Sequence, residues 1–332
     1  MARKGFWKKL HIPIFALAPM ADVTDEAFRR MIARYGKPDV MWTEFVSCNG
    51  LCSDGRRALL QDLLFDERER PIVAQFFGAT PEHFYRSALL ARELGFDGID
   101  INMGCPDKNI QKQNAGAKLI LDPPLAKRIV AETKRGAGPL PVSIKTRIGY
   151  TKNIIDEWLP HVLETEPSAI TIHGRTKKEM SDVPAHWDII AHAAVLVKKY
   201  DSSKNRPLVL GNGDIKSVEE GFEKVARYGV DGVMVGRGLF GMPWFFRDIQ
   251  ALRDGKRPVH RAISTKKKMC IMLEHAALFE KLFSETKRFD VMKKHFKAYV
   301  HGFDRAKELR MKLMQTHTVA EIRTILKEEG YY

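Results

Sequence analysis

Apolar and polar residues along this chain fall into short extended runs separated by stretches of helical length. Eight runs have strand length and β-branched or aromatic character: Ile14–Ala18, Val40–Phe45, Ile72–Phe77, Gly98–Asn102, Val142–Arg147, Ala169–His173, Leu208–Leu210 and Gly232–Val235. Helix signals fill most of the gaps. Thr80-Pro81 reads as an N-cap followed by proline at the first helical position, and Asp122-Pro123 repeats the signal. Ser217 with Glu220 predicts a capping box. Strands alternating with helices imply parallel pairing, and eight such units in about 250 residues imply an α/β fold of the (β/α)8 TIM-barrel type. A doubly wound sheet is the alternative arrangement of the same units.

After residue 250 the βα rhythm stops and a small C-terminal all-helical domain is expected. Met269, Met272, Ala276, Phe279 and Phe283 recur at helical spacing on one face, and Thr318 with Glu321 caps a last helix. These methionines and aromatics read as packing. A linker is placed at Arg253 to Pro258, which divides the chain into regions 1–250 and 259–332.

Charge sharpens this division. The chain of 332 residues carries a net +14, and residues 251–332 alone hold 19 Lys+Arg against 10 Asp+Glu, a net of +9. Such a tail suits a polyanion, although solubility alone would also account for it. Four scattered cysteines, Cys48, Cys52, Cys105 and Cys270, do not make a disulfide framework, and the lone C-x3-C has no partner pair for a metal. No metal site is expected. The basic, briefly apolar start, MARKGFWKKLHIPIFALAPMA, feeds straight into folded pattern and is not read as a signal peptide. No uncharged apolar run approaches the roughly 20 residues that span a membrane. A cytoplasmic protein with no membrane association and no obligate protein partner is expected.

The candidate chemistry lies where the strands end, since a barrel carries its active site at their C-terminal face. Along the fourth strand Ile99 and Ile101 share one face, and Asp100 and Asn102 the other. Lys145 and Arg147 oppose Val142 and Ile144, and His173 opposes Ile170 and Ile172. With the apolar faces toward the helices, Gln75, Asn102, Cys105, Lys145, Arg147 and His173 converge on the mouth. Each has an ordinary structural alternative: Gln75 as a loop hydrogen-bonder, Lys145 paired with Asp100 or Glu44, His173 as a satisfied core histidine. Gly104 and Pro106 hold Cys105 on a loop at a strand end, either as an incidental turn residue or as a positioned reactive group. GNGDI, Gly211 to Ile215, and GRGLFG, Gly236 to Gly241, follow the last two strands. GRGLFG matches G-x-G-x-x-G, but it closes the series instead of opening a βαβ unit, so it argues for one phosphate group, as in FMN, more than for a dinucleotide. Two tight βα turns would also need these glycines.

Together these residues resemble the tRNA-dihydrouridine synthase (Dus) family. The matching motifs are APMADVTD, VAQFFG, DINMGCP, IKTRIG, TIHGRT, GNGDI and VGRGLFG, in family order over nearly all of residues 12–250. The resemblance implies an FMN-binding catalytic barrel, a basic helical RNA-binding tail, and reduction of the C5–C6 double bond of specific uridines in tRNA with NADPH or NADH as reductant. It implies that Pro19, Met20 and Ala21 lie along the flavin and that Gln75, Lys145 and His173 bind its rings. It further implies that Asn212, Gly213, Asp214, Gly236 and Arg237 hold its phosphate arm. Asn102, Lys145 and Arg175 are implied near the uracil, and Cys105 as the proton donor. The chain departs from the family pattern at Asp22, where glycine is usual, and in DKNIQKQNAGAKLI after the cysteine. An FMN barrel acting on a small-molecule enone or pyrimidine is the first alternative, and an RNA-binding protein on an inactive barrel the second.

Overall fold

The computed structural model describes residues 4–203, 206–256 and 262–332. Arg257 and Pro258 of the expected linker, and the expected start of the tail at 259, lie outside these residues. The chain divides into two compact units: residues 1–19 with 38–238, and residues 20–37 with 239–332.

The first unit is the barrel. Its strands are β1 (Ile14–Leu17), β2 (Met41–Ser47), β3 (Ile72–Phe77), β4 (Gly98–Met103), β5 (Val142–Arg147), β6 (Ala169–His173), β7 (Leu208–Asn212) and β8 (Gly232–Val235). All are parallel, in the order β1-β8-β7-β6-β5-β4-β3-β2, and a parallel bridge between Ala16 and Val40 joins the two ends. This is the (β/α)8 arrangement that the alternating pattern predicts; a doubly wound sheet would reverse its order at a switch point.

The helix starts follow from their caps. Asp122 accepts from the Leu125 N–H at 3.0 Å and opens Pro123–Ala137. Pro81–Glu93 begins on proline, with no side-chain bond from Thr80. Ser217 accepts from the Glu220 N–H at 3.1 Å, but the Glu220 carboxylate takes its return bond from Lys216, one residue before the cap, at 2.7 Å. The expected capping box is thus present with its second bond shifted by one residue.

The second unit is helical. Met269, Met272, Ala276, Phe279 and Phe283 are all buried on the helix Thr265–Phe283 and form its core with Met292, Phe296, Tyr299 and Leu309. The helix Glu26–Tyr35 belongs to this unit: Phe28 lies against His275 and His295, and Arg34 pairs with Glu274. Asp22 has φ 55, a left-handed conformation in which glycine is ordinary and Asp is among the few tolerated substitutes. Its carboxylate pairs with Lys294 at 2.9 Å. Among the described residues no helix is long and apolar enough to cross a membrane.

Candidate active site at the barrel mouth

Strand register assembles the site. β4 and β5 pair Asn102 with Lys145, β5 and β6 pair Arg147 with His173, and β6 and β7 pair His173 with Asn212. All five residues fall in the last turn of pleat of their strands, on the polar face, so the register alone carries them to one end of the barrel.

A polar chain climbs to them from below. Asp100 is fully buried and accepts from Ser143 Oγ at 2.5 Å and from Gln75 Nε2 at 2.6 Å. Burial pushes its carboxyl up to about 6, against the pull of these two bonds. Gln75 Oε1 accepts from Asn102 Nδ2 at 3.0 Å, and Asn102 Oδ1 accepts from the N–H groups of Gly104 at 3.1 Å and Cys105 at 2.8 Å. Both amides are therefore fixed in orientation, and among the described residues each has a second amide N–H without a hydrogen-bond partner. The Cys105 loop rests on the oxygen end of this chain. Burial pushes the Cys105 thiol above its ordinary range, so it stays protonated at neutral pH.

The cations sit on the far side. Lys145 Nζ donates to Asn212 Oδ1 at 3.2 Å, not to Asp100 or Glu44, and Asn212 is held by its own donation to Met234 O at 2.8 Å. Burial, then repulsion from Arg147, lowers Lys145 to about 8. Arg147 donates from Nε to Gly104 O at 2.7 Å and from Nη1 to Thr176 O at 3.0 Å, bracing the loops after β4 and β6. His173 is driven well below its usual pKa by burial and by Arg147, Lys145, Arg175 and Arg237, and is a neutral imidazole. Arg175 Nη1 lies 3.2 Å from His173 Nε2. A guanidinium only donates, so Nε2 accepts and the ring proton is assigned to Nδ1.

Arg175 itself is buried. It donates to Val183 O at 2.6 Å and ion-pairs with Asp214, whose carboxylate also accepts from the Ala185 N–H at 2.8 Å. Burial would raise the Asp214 carboxyl, but these bonds hold it low. The structure thus places Arg175 against His173 and Asp214.

The loops after β7 and β8 form a cradle. Gly213 has φ 128, and a Cβ there would lie 2.7 Å from Ala185 Cβ and 3.2 Å from His173 Cδ2, so glycine is required for the close turn. The N–H groups of Gly213, Asp214 and Gly236 find no backbone acceptor among the described residues. The exposed Arg237 guanidinium stands 3.7 Å from Asp214. Uncommitted N–H groups with a cation beside them suit a phosphate, so the donor set fits FMN. Pro19 is buried at the end of the β1 segment, while Met20 and Ala21 lie in the second unit, in a turn where the Met20 N–H donates to Thr24 Oγ1 at 2.9 Å.

Residues that sequence reasoning missed are the supports. Ser143 shares the inward face of Lys145 and was recoverable from the alternation. Thr43, whose Oγ1 accepts from the Gln75 N–H at 3.1 Å, sits by an irregularity in β2 that breaks the alternation. Gln111, described below, has no periodic signal. Among the described residues no His, Cys, Asp and Glu cluster has metal-site geometry, and all four cysteines are free thiols.

A barrel with cations, a neutral imidazole and a protonated thiol gathered at its C-terminal mouth has the layout of a barrel enzyme. Two solved structures share the fold: 6-hydroxypseudooxynicotine amine oxidase from Pseudomonas geniculata N1, TM-score 0.54 at 14% identity, covering 82% of this chain and 53% of that one, and histamine dehydrogenase from Rhizobium sp. 4-9, TM-score 0.52 at 12% identity, covering 80% and 48%. This chain spans about half the length of each. The chain belongs to the dihydrouridine synthase (Dus) family, whose profile matches residues 16–329. The probable tRNA-dihydrouridine synthase of Staphylococcus aureus (strain COL) is 41% identical over 331 residues, 98% of this chain and 96% of the relative. The probable tRNA-dihydrouridine synthase 2 of Bacillus subtilis (strain 168) is 39% identical over 330 residues, with the same shares.

Proposed function

We propose that the protein reduces the C5–C6 double bond of specific uridines in tRNA, with FMN held at the barrel mouth and NADPH or NADH as reductant. The observation that carries this reading is the Cys105 loop, pinned by Asn102 at the Cys105 N–H and by Arg147 at the Gly104 carbonyl, at the mouth of a barrel of this family. Bound FMN would supply hydride to C6 of the base. Cys105 then delivers its proton to C5, and a neutral thiol is the form that is able to do so. Lys145 and Arg147 favour the negative charge that builds on the base before that proton arrives. Neutral His173 presents Nδ1–H as a donor without adding charge. Asn102, with one N–H to spare, and Lys145 are the groups proposed to bind the uracil edge. Gln75, Lys145 and His173 are proposed for the flavin rings, with Pro19, Met20 and Ala21 along them, and Asn212, Gly213, Asp214, Gly236 and Arg237 for the phosphate arm. Arg175 acts on this site through His173 and Asp214. The basic helical tail, within 259–332, is proposed to bind the RNA backbone.

The test is nucleotide-resolution mapping of dihydrouridine in RNA from cells with and without the gene, together with the flavin released from purified protein. Loss of dihydrouridine at defined tRNA positions and release of FMN are expected. An unchanged map, or FAD as the released flavin, overturns the reading. Turnover on free pyrimidines or enones without RNA would favour a small-molecule reductase instead.

A further inference from the structure

Cys105 is held at its carbonyl by a residue that no motif of the site includes. Gln111 lies on the short helix Lys108–Lys112 that follows the cysteine and is capped by Asp107. Its Nε2 donates to Cys105 O at 2.6 Å and to Ala115 O at 3.3 Å. Both partners are carbonyls, so the amide cannot be turned over without setting oxygen against oxygen. The Ala117 N–H supplies a second donor to Cys105 O at 3.1 Å. Gly116, at φ 62, permits this approach, since a Cβ there would stand 2.8 Å from Cys105 O and 3.2 Å from Cys105 Cβ. With Asn102 on the Cys105 N–H and Gln111 on the Cys105 carbonyl, the peptide groups on both sides of the residue are held, and rotation about χ1 is the main freedom left to the thiol.

We infer that Gln111 is a positioning residue for proton delivery, setting the direction of the Cys105 thiol through the Cys105 carbonyl. The inference rests on the reading of Cys105 as the acid. A proton donor displaced by about an ångström from its acceptor loses much of its rate, even though it is still present. Gln111 touches neither base nor flavin and acts only through the loop.

The test uses the full-length flavoprotein with Gln111→Met, which keeps the length of the side chain and removes the donor, and Gln111→Asn, which keeps the amide but draws it back by one methylene. Flavin content and reduction by NADPH should stay within about twofold of the parent, while reoxidation by tRNA slows about tenfold in Gln111→Met and less in Gln111→Asn. Iodoacetamide labelling of Cys105, followby peptide mass mapping, should be about threefold faster or more, because a loosened loop exposes the thiol. In a Cys105→Ala background Gln111→Met should add less than about twofold, as expected for residues that act as one unit. The inference fails if Gln111→Met, or Gln111→Asn should the former not fold, reoxidises and labels like the parent while Cys105→Ala slows reoxidation. A silent Cys105→Ala instead overturns the reading of the acid itself.

Discussion

At the scale of single residues, two devices act on the mouth. One holds a thiol protonated and fixed; the other buries a histidine, among positive charges, so that it stays neutral. Their consequence is a separation of half-reactions. In the proposed reaction, reduction of the flavin by NADPH precedes proton delivery and does not need the thiol. Cys105→Ala should therefore bind FMN and be bleached by NADPH as the parent is, while reoxidation by tRNA slows about a hundredfold, the scale of losing a general acid. Stopped-flow measurement of both steps decides this, and equal reoxidation rates would remove Cys105 from the mechanism. Cys105 was legible in the sequence because it stands between Gly104 and Pro106 at the end of a strand, and Lys145 and His173 because alternation assigns their faces. The pairing of Arg175 with Asp214 was not legible: it joins the loops after β6 and β7, and no local pattern relates two residues that meet only when the barrel closes.

At the scale of elements, strands and long helices were readable because one buried face imposes a period, and a period survives in sequence. Cap details were less so. At Thr318 the side chain accepts from the Glu321 N–H at 3.3 Å, yet Glu321 returns its bond to His317 at 2.6 Å, the same one-residue shift seen at Ser217. Residue identity alone does not distinguish the two bond patterns. The helical unit also contains an element that no composition count reveals. His275 and His295 are buried side by side with ring centroids 4.5 Å apart, against Phe28 and near Tyr299. Burial lowers His295 to about 3, helped by Lys294, and burial with His295 places His275 well below its ordinary value. Both are neutral when folded, whereas the unfolded chain protonates them near pH 6.5. Stability from this pair is thus full above that pH and falls as the pH drops toward 3, by up to about 1.4 kcal/mol per pH unit for each histidine. His295→Phe should flatten the fall between pH 7 and 5 in urea melts by about one histidine's share. An unchanged slope would show that this histidine is not buried in its neutral form.

At the scale of the whole molecule, charge and connectivity matter more than any contact. The +9 of residues 251–332 predicts that tRNA binding weakens about tenfold or more between low and physiological salt, since each neutralised phosphate releases a counterion. Lys266, Lys297 and Lys307 are exposed on the second unit. Reversing all three to Glu should lower tRNA affinity about tenfold or more while leaving flavin content and NADPH oxidation intact, as measured by filter binding and absorbance; undiminished affinity would take RNA binding away from the tail. Connectivity carries a different consequence. The backbone passes between the units three times, near residues 19, 37 and 238, because the helix Glu26–Tyr35 lies within the helical unit. That unit is therefore not a cassette appended to a finished barrel. A chimera that exchanges only the stretch after residue 238 would pack the Ala27 and Met31 of one parent against the helical core of another, so a transplant of the proposed RNA-binding unit between relatives has to move the short segment 20–37 together with 239–332.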